Sequence, residues 1–139
     1  MEITREDLQN YMSLKAAIRG LQEEINTTYE ASPSPPDVRG GRVSVSSPGD
    51  PTRVKAMKII SLRERLQKKL TEYEAMTERI DAWIETIEEP EIAQIIRLHY
   101  IQGYSWSRTC MVMYGYQDRD YCRKMISRYF KKLSALSAS

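Results

Sequence analysis

Residues Gly103 to Leu133 run GYSWSRTCMVMYGYQDRDYCRKMISRYFKKL. Ser105 stands just before a set at helical spacing, Trp106, Thr109, Cys110 and Met113, and its hydroxyl can accept from a backbone N–H of the first turn, so it is expected to cap a helix. Gly115 then supplies the left-handed conformation in which such a helix ends. Asp118 can cap a second helix, with Cys122, Met125, Ile126, Tyr129 and Leu133 turned inward. Asp120, Arg123, Lys124, Ser127 and Lys131 are left on the opposite face.

That pattern matches a specific kind of recognition. A helix entering the major groove of DNA needs cationic and hydrogen-bonding side chains near its start to reach base edges, and cations farther along to hold phosphates. Arg119, Asp120, Arg123, Lys124 and Ser127 form the first group; Arg128, Lys131 and Lys132 form the second. Cys110 is small enough for two helices to cross closely, and Gly115 allows the sharp change of direction between them. Just upstream, Pro90 starts a short helix with Ile92, Ile95, Ile96, His99 and Tyr100 on one side and Gly103 at its end. Residues 90–139 are therefore expected to form a three-helix helix-turn-helix module.

Charge supports this expectation. The chain carries a net charge of only +2, but residues 97–139 hold eight Lys and Arg against two Asp and Glu, a local +6. The remaining residues sum to −4. Such asymmetry suits a polyanionic partner, although a basic helix face is equally a solvated face when no fold presents it.

Residues 1–30 read as an amphipathic helix: Thr4 with Asp7 is a relative of the capping box, and Tyr11, Leu14, Ile18, Leu21 and Ile25 alternate spacings of three and four. Residues 31–51 change to Ser, Pro and Gly and are expected to be a flexible linker. Asp50 and Pro51 read as a cap and first turn, and no Gly or Pro follows until Pro90, so residues 52–89 are expected to be one long helix. Its heptad seam is Ile59, Leu66, Tyr73, Ile80 and Ile87 with Leu62, Lys69, Met76 and Trp83, widened by Leu70 and Ile84; only Lys69 breaks it. An antiparallel hairpin with the first helix buries this stripe, and so does a homo-oligomer formed through the long helices. The fold class expected is all-α, a long-helix hairpin or coiled coil followed by the helix-turn-helix module.

Other chemistries find little footing. Mean hydropathy is −0.56, and the sequence contains neither a membrane-length apolar run nor a secretory signal, so a cytoplasmic chain with no membrane partner is expected. Cys110 and Cys122 then read as reduced core thiols. The single histidine, His99, sits among isoleucines with no evident carboxylate partner, and Gly-rich phosphate loops and nucleophile motifs are absent from the sequence. No enzyme activity, metal or cofactor is expected; His99 with two cysteines matches no common zinc spacing.

Arg97-Leu98-His99-Tyr100-Ile101-Gln102-Gly103-Tyr104-Ser105-Trp106 resembles the R-x-x-Y-I-x-G-x-S-W motif of phage RinA and ArpU type transcriptional regulators. Gly115-Tyr116 and Arg128-Tyr129-Phe130-Lys131-Lys132-Leu133 are similar to the family's glycine turn and its terminal R-A-L-x-K-L. The sequence departs from that pattern at Thr109 and Cys110, where the family has Ile-Ala, and in a longer turn from Met113 to Asp118. The resemblance implies a helix-turn-helix similar to sigma factor region four. It also implies a regulator of phage late genes in a bacterial host, and an N-terminal helical region that pairs or contacts host RNA polymerase. Two other readings fit the same organisation: a small terminase subunit that recognises viral DNA for packaging, and a coiled-coil scaffold whose basic end keeps it in solution.

Overall fold

The computed structural model describes residues 2–30 and 51–138. Every regular element among them is helical: α1 (Arg5–Glu30), α2 (Pro51–Ile84), α3 (Pro90–Ile96) prolonged by a π-helical turn (Arg97–Ile101), α4 (Trp106–Tyr114) and α5 (Tyr121–Ala138). Of the expected linker, residues 31–50 lie outside the described residues, and Pro51 opens α2. The chain divides into two compact units, residues 1–13 with 73–139, and residues 14–72.

In the first unit the start of α1 is locked by a reciprocal box. Thr4 N–H donates to Asp7 Oδ2 at 2.9 Å, and Asp7 N–H donates to Thr4 Oγ1 at 3.1 Å, satisfying two amides that a helix start leaves open. Ile3, Leu8 and Tyr11 then join Ile80, Trp83 and Ile84 of α2, Ile92, Ile95, Ile96 and Tyr100 of the α3 segment, Cys110 of α4, and Cys122, Ile126 and Phe130 of α5 in one core. Full burial of one such isoleucine contributes roughly 1.5–3 kcal/mol. Tyr11 stacks on Tyr73 with ring centres 5.0 Å apart and shares a 2.7 Å hydrogen bond with Thr77, so the beginning of α1 runs beside the end of α2.

The second unit repeats this antiparallel pairing at the other ends of the two helices. Ile18 and Ile25 of α1 and Ile59 and Leu62 of α2 are buried. At its rim, Tyr29 receives Lys55 Nζ on its carbonyl and the Arg63 guanidinium on its phenol oxygen. Ile59, Leu62, Ile80 and Trp83 of the heptad seam are thus buried, Trp83 by stacking on Phe130 of α5.

The long helix stops earlier than its sequence suggests. Its pattern predicts helix to residue 89, but it ends at Ile84; Thr86 N–H turns back to the Trp83 carbonyl and Ile87 N–H to that of Ile84. Pro90 disfavours helical backbone at the residue before it, and Glu89 is extended, so the chain must break before α3. Arg97 clamps this corner by donating to Asp81 at 3.1 Å and Glu85 at 2.8 Å.

Candidate nucleic-acid interface

Ser105 Oγ accepts from Arg108 N–H at 3.1 Å and starts α4, and Gly115 ends it with a φ of 84°. Thr109, fully buried, donates its hydroxyl to the Ser105 carbonyl at 2.8 Å, so a polar side chain enters the core without an unmet donor. Across the turn, Asp118 Oδ1 accepts from the amides of Asp120 and Tyr121 at 2.8 and 3.2 Å and launches α5. Cys110 and Cys122 are both fully buried free thiols; burial, together with the neighbouring Cys110, pushes the Cys122 thiol up to about 12. Two sulfur-sized side chains therefore lie in the interior between α4 and α5, as close helix crossing needs.

Before α4, the π turn closes on Gly103, which has a φ of 79°. Gln102 N–H reaches the Arg97 carbonyl at 2.8 Å and Tyr104 N–H the Leu98 carbonyl at 3.0 Å, as in a glycine-terminated helix end. The wider turn lets three consecutive residues, Leu98, His99 and Tyr100, all be buried. His99 Nδ1 lies 2.7 Å from the Tyr104 carbonyl; a carbonyl only accepts, so Nδ1 carries the proton. Trp106 is partly buried against the core and lies flat on the His99 ring with centres 3.5 Å apart. The imidazole is a packing element of this corner.

The candidate contact residues fall into three sets. Lys124, Ser127, Arg128 and Lys131 form a stripe at spacings of three and four along α5 and line one groove with Arg5 of α1. Arg123 lies at the edge of that face and donates to Asp120 at 2.9 Å; the bond holds the Asp120 carboxyl below its ordinary range. Lys132 lies elsewhere, lining a groove with Glu88, Glu89 and Glu91. Arg119 is exposed in the turn before α5.

Arg5 is absent from the contact residues expected on sequence grounds. No pattern in the sequence points to it: it sits in the first turn of a helix more than a hundred residues before α5, and only the tertiary fold brings the two together. Arg108, stacked 3.9 Å from the centre of the Tyr104 ring, is also absent from that set and places a further cation at the start of α4.

Among the described residues no cluster of His, Cys, Asp or Glu is arranged to hold a metal, and no helix is long and apolar enough to cross a membrane. These features define an all-α protein whose last two helices form a capped, glycine-turned pair with one face buried and the other cationic. Comparison with protein-family models, curated proteins and solved structures finds no match.

Proposed function

We propose that the chain is a sequence-specific double-stranded DNA-binding protein, of the transcriptional-regulator kind that its resemblance to the RinA and ArpU regulators implies. In this reading α5 is the recognition helix. The observation that carries it is the division of α5 into a buried face, Cys122, Ile126 and Phe130, and an accessible stripe with four hydrogen-bonding or cationic side chains. The major groove, about 12 Å wide, admits a helix presented this way. Arg123 and Lys124 in the first turns reach base edges, and Arg128 and Lys131 hold the backbone. The Arg123–Asp120 pair presents a donor and an acceptor together, and Asp120 also repels phosphate, which confines tight binding to sites that satisfy Arg123.

Selection of bound duplexes from a random library tests the reading. An enriched motif is expected, and its symmetry reports whether one or two copies bind. Failure to enrich any sequence, with undiminished gel-shift affinity in an Arg123→Ala, Lys124→Ala double variant, rules α5 out as the recognition helix.

A further inference from the structure

We infer that the groove between the start of α1 and α5 is a seat for a DNA backbone phosphate, with Arg5 as its anchor. The inference rests on the duplex-binding reading but adds a residue and an element to it. The groove is lined by Arg5, Lys124, Ser127, Arg128, Phe130, Lys131 and Ser134. Besides Lys124, which reaches base edges in that reading, three cations and two hydroxyls line it without a carboxylate. The adjoining groove, beyond Arg5, Phe130 and Ser134, holds the acidic Glu2 and Glu6, so positive potential is confined to the α5 side.

Arg5 is held in place from behind. Its guanidinium hydrogen-bonds the buried Tyr100 phenol and so opposes the rise that burial imposes on that group. A restrained guanidinium suits the multiple acceptors of a phosphate, whereas a flexible lysine would lose more freedom on binding one. A groove lined by one sign of charge also focuses positive potential on an approaching anion. The occupant is a phosphodiester on the strand flanking the groove that α5 enters. The chain would thus hold the duplex from both α1 and α5.

Fluorescence-anisotropy titrations of a labelled duplex over a salt series test this. Arg5→Gln is expected to weaken binding to all duplexes alike and to reduce the slope of log affinity against log salt by roughly 0.9, one phosphate contact. Arg5→Lys keeps most of that slope. Ser134→Glu, at an exposed position that folding should tolerate, places a carboxylate in the groove and is expected to weaken every duplex too. An unchanged slope in Arg5→Gln, or unchanged binding by Ser134→Glu, overturns the inference. So does displacement of duplex by millimolar inorganic phosphate at matched ionic strength, which would make the groove a site for a free anion. Loss of duplex binding in the wild-type chain itself would instead sink the duplex reading, a distinguishable result.

Discussion

Arg123 and Asp120 show how one side chain can be both displayed and restrained. Their bond is exposed, so it adds little to folding, but it sets the charge that α5 offers at its start. Arg123→Ala is expected to cost about 1–3 kcal/mol on the preferred site and to relax base choice there. Asp120→Ala is expected to tighten binding to every duplex, because a repelling charge is removed and Arg123 is freed. The Asp120 carboxyl is held below the ordinary aspartate value of 3.8, first by the Arg123 hydrogen bond, so the pair survives as pH falls through that range and is lost only below it. An NMR titration should place the Asp120 midpoint below 3.8 in the wild type and return it towards 3.8 in Arg123→Ala. Cys122, pushed up to about 12 by burial, should resist alkylation at mildly alkaline pH until the protein unfolds; rapid labelling in native buffer would mean that α4 and α5 separate readily. Residue types make Thr4, Ser105, Gly115 and Asp118 legible in the sequence, since capping and left-handed turns are local chemistry. Arg5 is not legible, because its role depends on neighbours far along the chain.

At the scale of elements, periodicity locates all five helices but not every end. The α2 stripe follows the sequence pattern through Trp83 and Ile84, while its last turn yields to Pro90, and Phe130 is buried outside the inward set expected for α5. Ile3 and Leu8, also outside the expected stripe, are buried because the core reaches past the first turn of α1. The turn between α4 and α5 offers a clean test of local geometry. A Cβ at Gly115 would meet no atom within 4 Å, so Gly115→Ala carries backbone strain alone, roughly 1–2 kcal/mol, and Gly115→Asn less. Thermal melts should rank glycine, asparagine and alanine in that order; equal stability for all three would show that the turn relaxes. Trp106→Ala removes the indole stacked on His99 and should cost about 3 kcal/mol, near the lower end for such truncations because the ring is only partly buried.

At the scale of the whole molecule, a charge asymmetry visible in the sequence becomes a difference between surfaces. Lys131 shares a groove with Arg5, Lys124 and Arg128, whereas Lys132, its neighbour in sequence, lines one with Glu88, Glu89 and Glu91. Lys131→Ala is therefore expected to lower the salt slope by roughly 0.9 and Lys132→Ala by clearly less; equal slopes would mean that the duplex covers both surfaces. In the sequence both lysines fall in one set, because charge counting does not see which neighbours a helix face acquires. The π turn at Arg97–Ile101 also bears on how this chain can change length. A regular α-helix cannot lose a residue without rotating everything after it by about 100°, which in α5 would swing the cationic stripe toward the interior. A π turn already holds one residue more than α-helical spacing requires, so a single deletion there would return the segment to ordinary winding and leave Gly103 and the caps that follow in phase. Among single-residue deletions along the chain from Pro90 onward, survivors should therefore concentrate between residues 97 and 101.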